Sequence, residues 1–279
     1  MALFSKQKPE SDSDMPFLEH LEVLRWHIVR SVSFVLVFFL VALFAKEWVF
    51  DVFIFGPTKD SFITYRALCV LSEKLGMGDL ICMQGIQIDF INTELAGQFM
   101  MHIKISFLCG FIAAFPLIIY EIWKFIKPGL YDNESRYAEV VAFFTALLFF
   151  IGVAFGYFIL IPFSINFFAA YSISDSVQNM FTVTNYISFI TIFMLSTGLM
   201  FELPMAVYFL SKIGILSPSF MREYRRHAIV ILAIVAAIIT PTADVGTMLL
   251  VFVPLYVLYE ISIFISAVVE RNREKEMLT

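Results

Sequence analysis

The chain has 279 residues, of which 60% are hydrophobic and only 15% are charged. Soluble domains carry roughly a quarter charged residues, so this composition excludes an ordinary soluble fold and predicts an integral membrane protein. The formal net charge of -5 gives no support to nucleic-acid binding, which a basic stripe would indicate.

The N-terminal region contains an amphipathic segment, D-M-P-F-L-E-H-L-E-V-L-R-W-H, at Asp14–His27. Apolar side chains recur at helical spacing from Phe17 to Ile28, and polar ones occupy other faces. We predict that residues 1–27 form a cytoplasmic leader whose amphipathic helix lies at the membrane surface and leads into a spanning helix. A plain topology anchor is the simpler alternative.

Long apolar runs predict an all-α fold, a polytopic membrane protein with six transmembrane helices. The predicted spans are residues 28–50, 103–122, 137–160, 186–210, 227–240 and 248–268. The fifth span is short, because crossing a full bilayer takes roughly 20 residues. A long outer loop, residues 51–101, follows the first span, and residues 269–279 form a charged cytoplasmic tail.

Six spans place both termini on one side of the membrane, and Lys and Arg residues indicate which side. Most of the 19 Lys and Arg residues fall in the termini and in the segments on the same side as the termini. The distribution therefore predicts that both termini are cytoplasmic.

The sequence shows no recognisable enzyme motif. The three cysteines, Cys69, Cys82 and Cys109, form no metal-binding pattern, and the four histidines are scattered. Cys69 and Cys82 form either a disulfide, if their loop faces an oxidising compartment, or two free thiols. We therefore predict neither an enzyme nor a cofactor.

Glu202 is the sharpest single signal, because a carboxylate within a span costs several kcal/mol unless it is paired, solvated or protonated. It indicates either a structural hydrogen bond to a neighbouring helix or a polar spot that a partner helix recognises. Asp244 lies in the turn T-P-T-A-D, where a helix N-cap is the simpler reading. Pro57 lies in the turn G-P-T.

Two cytoplasmic carboxylates, Glu22 and Glu134, are ordinary surface residues when each is considered alone. Together they suggest an acidic site for a dibasic ligand, because each carboxylate can accept a bidentate arginine. The apolar wall of such a site would be formed by Phe125, Pro128, Leu130 and Tyr131.

Four segments in order resemble TatC, the multispanning subunit of the twin-arginine protein translocase. They are M-P-F-L-E-H-L-E-V-L-R at Met15–Arg25, Y-E-I-W-K-F-I-K-P-G-L-Y-D-N-E at Tyr120–Glu134, F-E-L-P at Phe201–Pro204 and T-P-T-A-D at Thr240–Asp244. The resemblance covers most of the chain from Met15 to about Val268.

The resemblance implies a curved six-helix bundle that acts as a receptor for signal peptides bearing two consecutive arginines. It places signal binding at Glu22, Arg25, Phe125, Pro128, Leu130, Tyr131 and Glu134. Glu202 matches the family's intramembrane glutamate, a candidate for partner recruitment, and Pro57 and Asp244 are further motif positions. It also implies single-span partners, TatA and possibly TatB, in an oligomeric translocase of the bacterial inner membrane, driven by the proton-motive force without a cofactor.

The leader departs from the usual family pattern H-L-x-E-L-R-x-R. The acid falls one place early at Glu22, Val23 holds the expected position, and His27 replaces the second basic residue. A one-residue shift turns a helical side chain by about 100°. The alternative functions are a secondary transporter or channel for a small solute and, less favoured, an intramembrane enzyme.

Overall fold

The computed structural model describes residues 17–74, 76, 82, 85, 88–126, 138–172, 174, 176, 179–240 and 245–278. Within them the α-helices are α1 (Phe17–Phe44), α2 (Ile63–Lys74), α3 (Gly97–Ile126), α4 (Ala138–Phe155), α5 (Ile161–Ala170), α6 (Val183–Met200), α7 (Leu203–Lys212), α8 (Pro218–Glu223), α9 (Arg225–Ile239) and α10 (Val245–Leu278). Two π-helical segments cover Trp48–Ile54 and Gly156–Leu160, and a 3-10 turn covers Gly56–Thr58. Strands β1 (Phe90–Ile91) and β2 (Phe181–Thr182) pair in parallel.

Five helical stretches in the described part of the chain are long and apolar enough to cross a membrane. They are Leu21–Phe44, Gly97–Ile126, Glu139–Ala170, Val183–Lys212 and Val245–Arg273. Helix α9 corresponds to the predicted fifth span and has 15 residues. At 1.5 Å per residue it is about 22 Å long, less than the roughly 30 Å of a hydrocarbon core. The six-span count and the curvature of the bundle stay predictions.

Several helices differ in extent from the predicted spans. From Phe17 onward, the amphipathic segment and the first apolar run form one continuous helix, α1, without a break at His27. The helical path of the third span continues through Pro162 to Ala170. Pro162 lies in the first turn of α5, where the missing N–H group of a proline costs no hydrogen bond within that helix. The fourth span breaks at Phe201–Glu202, where Pro204 cannot donate a hydrogen bond to the preceding turn.

Close helix packing depends on glycines, which let neighbouring backbones approach. Helix α1 packs along α3 at Gly110, where an added Cβ would lie 2.6 Å from the backbone nitrogen of Phe39. Helix α4 packs against α6 at Gly152, where a Cβ would lie 2.5 Å from the carbonyl oxygen of Thr197. Both positions therefore fix the spacing of a helix pair.

The centre of the bundle is an apolar cluster on α3, α4 and α6. Phe149 is fully buried, and its ring stacks on that of Phe115 with the centroids 3.5 Å apart. Ile187, Ile190 and Phe193 bury the facing side of α6. These contacts hold α3 between α1 on one side and α4 on the other.

A cap covers the end of the bundle where α1 ends, and comprises the π-helical segment Trp48–Ile54, the 3-10 turn, α2 and the β1–β2 pair. Three tyrosine hydroxyls donate to its irregular backbone: Tyr157 to the carbonyl of Phe53 at 2.7 Å, Tyr186 to that of Ile54 at 2.7 Å, and Tyr65 to that of Pro57 at 2.8 Å. These bonds satisfy carbonyls that regular helix geometry would otherwise pair. A disulfide joins Cys69 to Cys82, which resolves the alternative left open by the sequence, and Cys109 is a free thiol.

Candidate functional site

The start of α1 and the end of α3 meet at one end of the bundle, which we call the α1/α3 end. The rings of His27 and Phe125 pack edge to face there, with centroids 5.9 Å apart. Glu22 and Arg25 precede His27 on α1 and form an ion pair of 3.2 Å, with both side chains 65% exposed. The Arg25 guanidinium also lies over the Trp26 ring, 5.8 Å from its centroid.

A second polar group at the same end is buried between the two helices. His27 Nδ1 lies 2.5 Å from Glu121 Oε2, and the two side chains are only 11% and 8% exposed. Arg30 Nη1 lies 3.7 Å from the same carboxylate oxygen on the more exposed side. The helices of the α1/α3 end are therefore joined by a polar contact in an apolar setting.

The two pairs differ in what they can do chemically. The exposed Glu22–Arg25 pair is solvated, and pairs of this kind contribute about 0–1 kcal/mol, so an incoming cation can replace Arg25 at little cost. The two side chains of the buried His27–Glu121 pair are largely shielded from water, and removing His27 leaves Glu121 with only the more distant Arg30 guanidinium. The exposed pair suits ligand exchange, and the buried pair suits a fixed structural contact.

Glu202 lies in the turn between α6 and α7, well within the apolar stretch Val183–Lys212. Its Oε1 atom is buried and has no hydrogen-bond partner in the residues that the structure describes. Its backbone carbonyl accepts bonds from the N–H groups of Met205 and Ala206, which start α7. The Glu202 carboxyl group also interacts with the backbone of Phe149 on the neighbouring helix α4, so both readings given above stay open.

Pro57 lies in the cap, far from the α1/α3 end. It is buried within the 3-10 turn, and its carbonyl accepts the Tyr65 hydroxyl, which also accepts a bond from the Asn166 amide at 3.1 Å. Burial raises the pKa of Tyr65 to about 12. Pro57 is therefore a structural element of the cap.

Glu260, for which no role is predicted from the sequence, lies in a polar cluster between α9 and α10. Arg225 Nη2 donates to Glu260 Oε2 at 2.8 Å, and the Tyr256 hydroxyl donates to Glu260 Oε1 at 3.0 Å. These bonds tie the start of the short helix α9 to α10. Among the described residues no group of His, Cys, Asp and Glu side chains is placed to hold a metal ion.

A protein-family model for TatC, the Sec-independent protein translocase protein, matches residues 19–254 of the chain. The chain belongs to the TatC family. The TatC protein of a Blattabacterium species from Periplaneta americana is 40% identical over 94% of this chain and 98% of that protein. The TatC protein of Desulforapulum autotrophicum is 35% identical over 94% of this chain and 87% of that protein.

Two crystal structures of a twin-arginine translocase receptor, TatC, have a similar fold. One is 30% identical, with a TM-score of 0.66, and covers 90% of this chain and 99% of its own. The other, in DDM, is 31% identical, with a TM-score of 0.69, and covers 88% of this chain and 98% of its own. The predictions of an all-α polytopic membrane fold and of the family are confirmed. Membership of the family favours a protein translocase subunit over a solute transporter or an enzyme.

Only part of the predicted TatC signal site lies in the described residues. Glu22, Arg25 and Phe125 lie at the α1/α3 end. The predicted residues outside the described part of the chain are Pro128, Leu130, Tyr131, Glu134 and, in the later turn, Asp244. The roles of all these residues stay predictions.

Sequence reasoning missed the buried pair of this TatC protein. His27 was interpreted as a substitute for a basic residue of the leader, and Glu121 received no role. A signal was present, because Glu121 is a carboxylate within an apolar helix and needs a partner. The sequence does not give the alignment of α1 against α3, so it could not indicate His27 and Arg30 as those partners.

Proposed function

We propose that this TatC chain is the receptor subunit of a twin-arginine translocase and binds signal peptides with two consecutive arginines at the α1/α3 end. The observation that carries the proposal is the exposed Glu22 carboxylate, whose partner Arg25 is a weakly held, exchangeable cation. A signal arginine can replace Arg25 there and form a bidentate pair with the carboxylate. The proposal is supported by the similar crystal structures, which are of a twin-arginine translocase receptor, TatC.

The second part of the proposed site is the end of α3 and the residues that follow it in the sequence. Phe125, in the last turn of α3, supplies an apolar surface beside the α1 leader. We propose that Glu134 receives the second arginine and that Pro128, Leu130 and Tyr131 line the site around it. Two carboxylates on two different elements would favour paired guanidinium groups over a single charge.

We further propose that single-span partners, TatA and possibly TatB, associate with the chain near Glu202. A buried carboxylate oxygen without a partner in the described residues is a site that a polar group of an incoming helix can satisfy. In this proposal both termini lie in the cytoplasm of a bacterium, the chain lies in the inner membrane, and the proton-motive force drives export.

The test is photo-crosslinking of a twin-arginine signal peptide to the full chain in membranes. A twin-lysine peptide of otherwise identical sequence measures charge alone, because lysine cannot form the bidentate contact. We expect that Glu134→Ala abolishes crosslinking, and that Glu22→Ala weakens it by up to about fivefold, the effect of about 1 kcal/mol.

Glu223→Ala is the matched control, because Glu223 is an exposed carboxylate on α8 that lies outside the proposed site. It should crosslink as the parent chain does at equal expression. Undiminished crosslinking of Glu134→Ala, or equal crosslinking of the two peptides to the parent chain, would refute the proposed receptor site.

A further inference from the structure

We propose that the His27–Glu121 pair is a positioning clamp that holds the leader of α1 against the end of α3 and thereby sets the preference of the site for paired arginines. The inference rests on the proposed function, because it concerns the geometry of that same site. Neither residue touches the signal in this proposal. Each acts through the exposed side chains that it holds in place.

The clamp is a direct contact between two helices that are far apart in sequence. The imidazole Nδ1–H donates to Glu121 Oε2 at 2.5 Å across a separation of 94 residues. Arg30 Nη1, 3.7 Å from the same oxygen, is the other charged group that faces the carboxylate among the described residues. Glu121 thus contacts one imidazole and one guanidinium, both from α1.

Burial makes the contact specific in its geometry. With side chains only 11% and 8% exposed, neither group recovers water if α1 slides or rotates on α3. A displaced α1 would leave a carboxylate uncompensated in an apolar interface, which is a strongly unfavourable state. The pair therefore favours one alignment of the two helices over its neighbours along the interface.

The alignment of α1 on α3 that the clamp favours also determines where Glu22 and Phe125 lie relative to each other. His27 is five positions after Glu22, about 140° around the helix, so the clamp faces inward while Glu22 faces outward. The edge of the His27 ring also meets Phe125, the described member of the proposed apolar wall. Loss of the clamp would allow the two halves of the site, Glu22 on α1 and Phe125 on α3, to move relative to each other.

Helix α1 carries no acid one turn before His27, where Val23 and Leu24 lie. Val23 is half-buried, lies one turn before His27, and holds the position at which the family leader usually has its acid. A carboxylate at that position would pair with position 27 inside one helix, in the i, i+4 relation. In this chain the carboxylate comes from α3 instead, so the pair links two helices rather than stabilising one.

The experiment measures two properties of the full chain in lipid nanodiscs. Hydrogen exchange of residues 17–30 and 118–126 reports the α1/α3 contact, and equilibrium binding of twin-arginine and twin-lysine peptides reports selectivity. The variants are His27→Phe, which keeps an aromatic ring without the hydrogen bond, Glu121→Gln, which keeps an acceptor without the charge, and the exchange His27→Glu with Glu121→His.

For His27→Phe we expect faster exchange in both segments and a loss of about tenfold in twin-arginine affinity, with the twin-lysine affinity changed by less than about twofold. Glu121→Gln should lie between this variant and the parent. The exchanged pair, which restores an imidazole and a carboxylate in reversed order, should return both measurements to within about twofold of the parent. Glu223→Gln, an exposed carboxylate on α8, is the control and should change neither.

The proposal is overturned if His27→Phe folds with unchanged hydrogen exchange, or if the exchanged pair folds and restores neither measurement. Should His27→Phe fail to fold, Glu121→Gln replaces it in this test. The proposal is then overturned if Glu121→Gln leaves hydrogen exchange unchanged, or if the exchanged pair folds and restores neither measurement. If the parent binds the two peptides equally, the proposed receptor function fails, while the exchange measurements still decide whether the clamp exists.

Discussion

Gly110 provides a sharp test of the fold, because it fixes the distance between α1 and α3. A Cβ at this position would lie 2.6 Å from the backbone nitrogen of Phe39 and 2.8 Å from its Cα, where ordinary contact begins at 3.4 Å. The shortfall is about 0.8 Å and is measured against backbone atoms, so no side-chain rotation relieves it. Any larger residue must push the two helices apart.

We expect Gly110→Leu to lower the free energy of unfolding by at least about 2 kcal/mol, within the range of overpacked sites. At about 2–4 °C per kcal/mol for chains of 150–250 residues, the thermal midpoint should fall by about 4–8 °C. Tryptophan fluorescence in detergent follows the transition, since Trp26 and Trp123 report α1 and α3.

Ala113→Leu is the matched control, because Ala113 lies on the same helix with its side chain exposed. It introduces the same side chain into the same local sequence and should leave the midpoint within about 2 °C, the usual range for surface substitutions. Equal midpoints for the two leucine variants would refute the close approach of α1 and α3 at Gly110.

Three further predictions concern other parts of the chain. Cys69→Ser, which opens the disulfide to Cys82 across a separation of 13 residues, should lower the free energy of unfolding by up to about 3 kcal/mol, whereas Cys109→Ser, at a free thiol, should not. Because the pKa of Tyr65 is raised from its ordinary value of 10 to about 12, the contribution of the Tyr65 hydroxyl to stability is complete below pH 10 and is lost as the pH rises toward about 12. In chemical unfolding, the free energy of unfolding should therefore fall more steeply between pH 10 and about 12 for the parent than for Tyr65→Phe. Glu202→Ala should leave signal crosslinking intact and impair co-purification of single-span partners and export of a folded reporter; normal export would reject the role proposed for Glu202.

The long apolar helices were predictable because each is an apolar run that carries its own signal. Periodicity and hydropathy located the helical parts of the chain, since a membrane requires every backbone group to be paired within its own segment. The break at Glu202 also had a visible cause in Pro204. The continuous α1 was less predictable, because the change from amphipathic to fully apolar character alters the environment of a helix without ending it.

Contacts between distant segments were not predictable from one sequence. The sequence left the pairing of Cys69 and Cys82 open, because a disulfide depends on distance and compartment rather than on spacing alone. The bonds from Tyr157 and Tyr186 to the cap cross separations of 104 and 132 residues. No local pattern encodes a hydrogen bond whose two partners meet only after the bundle has formed.

The same limit explains why Glu22 was found and Glu121 was not. Glu22 is recognisable from its neighbours, because it lies on the polar side of an amphipathic helix and its partner Arg25 is three residues away. Glu121 has partners only on another helix, and an error of one residue in the alignment of α1 and α3 would turn His27 away by about 100°. An ion pair between neighbours on one helix can thus be recognised from local sequence, whereas a buried pair between two helices requires the helix-to-helix alignment.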